Sequence, residues 1–266
     1  MRLFTGQPLW RLTFTISLFS LLLFAVGFVF ALDPSPLRTA PLGTPSSEQA
    51  NDQASTPLPA KGQLKVVTLG DSLTRGAGDA NGTGYVGLVK EALEERRGAT
   101  PILSNLAING LESSGLLEQL KQSQVKELLS EADLVLFTIG GNDLFRQSGS
   151  VYELDEKKLA AAMDSLATNY EEILEQIRSL NQKAPIIYTS LYNPFGDTEA
   201  SADTTPYVLA WNSKAADLAA RYPNVIVVPT YDLFFRKEKA YLYSDHFHPN
   251  HAGYERMAER IMQALE

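Results

Sequence analysis

From residue 63 onward the sequence alternates between two hydrophobic rhythms, and this alternation restricts the fold more than any other feature. Near-continuous apolar runs occupy Leu64–Leu69, Pro101–Ala107, Asp133–Ile139, Ala184–Leu191 and Asn224–Pro229. Short runs of this kind, bounded by turn residues, read as strands buried on both faces. Between them the apolar residues fall at helical spacing. Tyr85, Leu88, Val89, Ala92 and Leu93 mark one helix, and Leu116, Leu117, Leu120 and Leu128 a second. The third is the clearest, running from Leu159 through Met163, Leu166, Tyr170, Ile173, Leu174 and Ile177 to Leu180, with Asp155 placed to cap it. A fourth is predicted over Thr205 to Arg221, and the last carries Tyr254, Met257, Ala258, Ile261, Met262 and Leu265 on one face. Strands that alternate with helices predict a parallel sheet covered on both sides. Residues 63–266 are therefore expected to form one three-layer α/β/α domain with a five-stranded parallel sheet and no internal boundary or repeat.

Ahead of that domain the composition changes twice. Arg2 and Arg11 precede an uncharged stretch from Leu12 to Leu32, rich in Leu, Phe, Val and Ile. It is long enough to cross the roughly 30 Å hydrocarbon core of a bilayer as a helix. It also exceeds the roughly 7–15 apolar residues of a signal-peptide core. The arginines should stay in the cytoplasm, which places everything after Asp33 outside. Residues 1–32 are thus expected to be an uncleaved anchor; the alternative is cleavage after Val29-Phe30-Ala31, and either way the protein is exported. Residues 33–62 are rich in Pro, Ser, Thr and Ala with scattered leucines. Such a segment buries too little apolar surface to offset its ordering entropy, so a flexible linker is expected. The net charge is −8 with no Lys/Arg block in the folded region, which argues against a nucleic-acid partner, because phosphate binding needs a basic face. The chain has no cysteine, so a disulfide framework, a thiolate nucleophile and a Cys-ligated zinc are excluded.

Four segments carry chemistry. Val66–Leu69 ends in Gly70-Asp71-Ser72-Leu73, which delivers Ser72 to the carboxyl end of a strand, where ligands bind in open α/β sheets. A serine hydroxyl needs a base to become a nucleophile, and by itself the segment is equally an Asp-Ser turn. The strand ending at Ile139 runs into Gly140-Gly141-Asn142-Asp143; the Asn142 amide there would donate to a developing oxyanion, or simply close a turn. Asn105–Gly110 repeats the arrangement at another strand end, with Gly110 offering an unobstructed backbone N–H. All three histidines lie in Asp245-His246-Phe247-His248-Pro249-Asn250-His251, just before the last helix. Asp245 and His248 are spaced for the carboxylate to receive a ring N–H and orient the imidazole as a base. Pro249 suits a first helical position. Asp245, His246, His248 and His251 would also suit zinc by residue type, although no second histidine or acidic cluster stands elsewhere to complete a site.

Read together, the four segments resemble the conserved blocks of the SGNH (GDSL) hydrolase superfamily, in order and in spacing, over essentially all of Leu64 to Leu265. The general arrangement resembles the bacterial thioesterase/lysophospholipase-type branch, here on a membrane anchor. The resemblance implies a flavodoxin-like sheet of order 2-1-3-4-5 and a serine ester hydrolase that needs no metal or cofactor. It further implies Ser72 as nucleophile, His248 as base, Asp245 as its acid partner, and an oxyanion hole made by Ser72, Gly110 and Asn142. Gly110 lies in the loosest of the four blocks. Asp71 is expected to be structural, and His246 and His251 bystanders. The Gly-x-Ser-x-Gly elbow of α/β-hydrolases is absent around Ser72.

The substrate class stays open at this level. A membrane tether suits lipid or lysophospholipid esters, and an outward-facing domain suits O-acetyl groups on wall glycans. The loop from Phe195 to Pro206 is expected to lie near the acyl pocket or to be an ordinary surface loop. Tyr231, Phe234, Phe235, Tyr241 and Tyr243 would wall that pocket or belong to the core. A monomeric catalytic domain is expected. The competing classes are a catalytically silent, surface-anchored binding domain and a metal-dependent phosphoesterase.

Overall fold

The computed structural model describes residues 14, 16–21, 23, 24, 58, 62–146, 149–150 and 153–266. The chain divides into two units, Met1–Asp52 and Gln53–Glu266. The expected anchor and linker lie mostly outside the described residues. Among the described residues no helix is long and apolar enough to cross a membrane.

The second unit is a five-stranded parallel sheet in the order β2-β1-β3-β6-β7. Its strands are β1 (Gly62–Gly70), β2 (Ala99–Asn105), β3 (Leu134–Thr138), β6 (Ile186–Thr189) and β7 (Val225–Val228). These are the five runs and the strand order expected. A two-stranded hairpin, β4 (Gly149–Ser150) with β5 (Glu153–Leu154), stands apart from the sheet.

Side chains on successive strand residues point to opposite faces, and here both faces are covered. Val67, Leu69, Val135, Phe137, Ile186 and Tyr188 join one core. It is completed by α3 (Ser113–Leu120), α4 (Ser123–Ser130), α6 (Glu156–Leu180) and α7 (Ser201–Ala219). Leu64, Val66, Leu134, Leu136, Ile187 and Val228 join the other. That core holds α2 (Gly84–Arg97) and α10 (His251–Leu265), and Leu58 also packs into it. β3 and β6 read as continuous apolar runs because neither face meets water, whereas the edge strand β2 leaves Ile102 exposed. Burying one such Leu or Val contributes roughly 1.5–3 kcal/mol, and β3 is buried along its whole length.

Three local expectations are corrected. The second amphipathic stretch is two helices, α3 and α4, parted where Gln122 turns extended at ψ 133°. The break keeps Leu120, Val125 and Leu129 in the same core. The fourth helix begins at Ser201, so part of the expected Phe195–Pro206 loop is helical and Pro206 lies inside α7. Asn193 pins that first turn, donating to the hydroxyls of Thr204 and Thr205 at 2.9 Å each. Pro249 stands outside the last helix, whose cap is Asn250, accepting from the Gly253 N–H at 3.0 Å.

The carboxyl end of β1 leaves no room for a side chain. Gly70 has φ +110°, and a Cβ built there would fall 1.9 Å from the Thr138 carbonyl oxygen of the neighbouring strand. Gly70→Ala is expected to cost on the order of 3 kcal/mol or more through strain and overlap. Urea unfolding checks this; a midpoint equal to that of the wild type would show that the strand end yields without cost.

Candidate active site

The segments singled out in the sequence converge at the carboxyl edge of the sheet. Asp71 caps α1 (Ser72–Arg75), its Oδ1 accepting from the Leu73 N–H at 3.0 Å and from the Thr138 hydroxyl at 2.6 Å. The Thr138 hydroxyl is 2.8 Å from that of Thr74, which is 2.6 Å from the Tyr85 hydroxyl. Burial pushes the Asp71 carboxyl up, against the pull of the Thr138 and Leu73 donors. Asp71 is therefore a buried brace, as expected, and the brace fixes Ser72 at the first position of a helical turn. That position leaves a backbone N–H without an intrahelical partner.

Asp245 and His248 come from the loop ahead of α10. Its ends are tied by the Leu242–Pro249 bridge and by Tyr243 N donating to the His248 carbonyl at 2.8 Å. His246, at φ +52°, takes the left-handed turn that reverses the loop. Asp245 Oδ1 accepts from the backbone N–H groups of Phe247 and His248 at 3.0 Å each, and its Oδ2 lies 2.7 Å from His248 Nδ1. His248 Nε2 is 2.9 Å from Ser72 Oγ. Burial raises the Asp245 carboxyl, but the bond to His248 and the two backbone donors outweigh it and hold the group below the usual carboxylate range. An ionised Asp245 accepts a hydrogen bond from the His248 Nδ1–H, which leaves Nε2 as the ring nitrogen that faces the serine hydroxyl.

Asn142 stands at the second position of α5 (Gly141–Arg146) and faces the same cleft as Ser72. The turn before it is held by Tyr188, whose hydroxyl donates to the Ile139 carbonyl at 2.9 Å and accepts from Trp211 Nε1 at 2.8 Å. The Asn142 amide donates to the Leu111 carbonyl at 3.0 Å. Gly110, at φ +73°, is the residue before that carbonyl, and its own carbonyl accepts from Arg146 Nη1 at 3.0 Å. The structure thus brings Ser72, Asp245, His248 and Asn142 to one place, with Gly110 on the adjoining loop. Asp143 serves the scaffold: it accepts from both the N–H and the hydroxyl of Ser113, and burial pushes its carboxyl up. His251 turns to Asp79 at 3.1 Å. No group of three or more His, Asp or Glu that could hold a metal ion occurs among the described residues.

The cleft above Ser72 is walled by Leu73, Phe145, Leu191, Tyr192, Pro194 and Phe247. It is narrow, and holds about 410 Å³ of empty space including its open mouth. Phe195 stacks edge-on to Phe145 at 5.7 Å and lies 6.2 Å from Phe247. None of Tyr231, Phe234, Phe235, Tyr241 and Tyr243 lines the cleft. Phe234 is buried against Tyr192 at 4.2 Å, while Phe235 and Tyr243 are exposed. Sequence reasoning missed the true wall, although Phe145 stands three residues after Asn142, one helical turn on, and Phe247 lies inside the histidine segment.

Residues 68–256 match the model of the GDSL-like Lipase/Acylhydrolase family. The uncharacterized protein YpmR of Bacillus subtilis (strain 168) is 36% identical over 211 residues, 77% of this chain and 83% of that protein. Spore germination lipase LipC of Bacillus licheniformis is 34% identical over 208 residues, 76% of this chain and 96% of that protein. The crystal structure of the lipase Lip_vut3 from a goat rumen metagenome is similar at a TM-score of 0.69 and 33% identity, over 76% of this chain and 100% of that one.

Proposed function

The chain belongs to the GDSL-like lipase/acylhydrolase family and is a carboxylic ester hydrolase, and from that premise we propose a Ser72–His248–Asp245 mechanism. The unbroken chain of contacts from Asp245 through His248 to Ser72, at 2.7 and 2.9 Å, is the observation that carries it. Ser72 Oγ attacks the ester carbonyl carbon while His248 Nε2 takes the hydroxyl proton. The imidazolium so formed is stabilised by the Asp245 carboxylate. Collapse of the tetrahedral intermediate breaks the bond to the alcohol, which leaves with the proton from His248. Water, deprotonated by the same ring, then releases the acid and restores Ser72.

The oxyanion is received by the N–H groups of Ser72 and Gly110 and by the Asn142 amide. That amide has two N–H donors, and the one given to Leu111 fixes the direction of the other. The narrow apolar cleft beside Ser72 supports an ester with an aliphatic acyl chain more than a bulky polar acid. LipC and Lip_vut3, both lipases by name, point the same way. The uncharged run from Leu12 to Leu32 supports an enzyme held at a membrane with its catalytic domain outside.

Hydrolysis of p-nitrophenyl esters from acetate to octanoate should survive chelator and vanish in Ser72→Ala, with turnover rising beyond acetate. Equal activity in both proteins would remove Ser72 as the nucleophile. A sharp maximum at acetate would move the substrate to O-acetyl groups, and no turnover on any ester by the folded protein would favour a binding role. Asn142→Ala is expected to lower kcat by about 10²–10³ with unfolding unchanged; near-normal turnover would take Asn142 out of the oxyanion hole. The full-length protein should sediment with membranes and lose its catalytic domain to protease added from outside. Recovery of a shortened, soluble form would show cleavage and secretion instead.

A further inference from the structure

The loop that follows the nucleophile is built as a dock for the loop that carries the base. Ala77 N donates to the Ser72 carbonyl at 3.0 Å, and the Ala77 carbonyl accepts from the Tyr254 hydroxyl at 2.6 Å. Gly78, at φ +89°, lies so close to the base loop that a Cβ there would stand 2.7 Å from His248 Cβ and 2.6 Å from the Pro249 carbonyl oxygen. One residue on, Asp79 has a side chain with no exposed surface. It accepts from the backbone N–H groups of Asn81, Thr83 and Gly84 at 2.9, 3.1 and 2.8 Å. Its remaining capacity faces His251 Nδ1, 3.1 Å from Oδ1 and 3.3 Å from Oδ2. His251 opens α10 three residues after His248, and its Nε2 lies 3.7 Å from Glu255 Oε1.

A buried carboxylate that accepts this many bonds holds its partners in place, since removing one of them leaves a buried polar group unsatisfied. We propose that Asp79 and His251 are positioning residues that dock the His248 loop onto the Ser72 loop and so set the distance between base and nucleophile. Asp79 fixes the shape of its own loop through three backbone bonds and offers the fourth contact to the other loop. Tyr254 supplies a second tie one helical turn further along. The contact needs only an Nδ1–H on His251, which both the neutral and the charged ring can provide. The proposal rests on the serine mechanism given above.

The test compares His251→Ala, which removes the donor, with His251→Asn, whose amide N–H stands close to the place of Nδ1. Each is assayed for kcat and KM on one p-nitrophenyl ester and for the rate at which a fluorophosphonate captures Ser72. Misplacement by about 1 Å can cost 10²-fold. The expected result is that His251→Ala lowers kcat and the capture rate by about 10- to 100-fold, with KM within about threefold, and that His251→Asn restores most of both. Capture of wild type and not of Ser72→Ala establishes the nucleophile independently. If the two label alike, the serine reading itself has failed. With that control in place, unchanged rates in His251→Ala, or equal losses in Ala and Asn, would overturn the positioning role. Should His251→Ala not fold, Tyr254→Phe, which removes one hydroxyl from the second tie, decides the matter: a fall in kcat at constant KM supports the dock and no change opposes it.

Discussion

The carboxylate of Asp71 is the interaction on which the site depends. A charge taken out of water is costly unless it is matched by donors, and Asp71 is matched by one from each of two strand ends. The Leu73 N–H belongs to the turn after β1, and the Thr138 hydroxyl is the last side chain of β3. The same group therefore shapes the turn that presents Ser72 and ties it to the strand that leads to Asn142. Gly70 makes the approach close enough for this, since the Thr138 carbonyl occupies the space a side chain would need. Removing the carboxylate would take away one tie between the Ser72 turn and β3, leaving the Thr74–Thr138 hydroxyl contact and the strand pairing to hold the two ends.

Around that brace, the sheet acts as a rack with one working edge. β1 delivers Ser72, β2 continues along β1 into the Gly110 loop through Ile108 N donating to the Gly70 carbonyl at 2.8 Å, and β3 delivers Asn142. Asn105 closes this side by donating to the Thr74 carbonyl at 3.1 Å. His248 arrives separately, from the segment between β7 and α10. The cleft wall is shared: Phe145 follows β3, Leu191, Tyr192 and Pro194 follow β6, and Phe247 belongs to the base loop.

What the sequence made legible follows from this division. The five strands could be read because residues such as Leu134 and Val135 face different cores and both must be apolar. Ser72, Asp245 and His248 could be singled out as a group because few residue types suit such chemistry and their neighbours fix the spacing, and the fold brings the three within hydrogen-bond distance. The break at Gln122 was hidden, since Leu120 and Leu128 keep helical phase across it. The cleft wall was hidden for another reason. Leu191 and Tyr192 are apolar residues at a strand end, and in one dimension nothing separates a residue that faces a cleft from one that faces the core. Asp79 and His251 were unreadable as a pair, because 172 residues separate them and only the fold joins them.

The distance between Ser72 and His248 along the chain has a consequence for how the site comes into being. Ser72 lies at the start of the folded domain and His248 close to its end, 176 residues later. During synthesis Ser72 emerges with the first strand, whereas His248 appears only when almost the whole of this domain has been made. The segment that brings it then depends on α10 for its seat against α2. A chain that stops before residue 245 therefore has Ser72 without the carboxylate and imidazole that stand beside it in the folded domain.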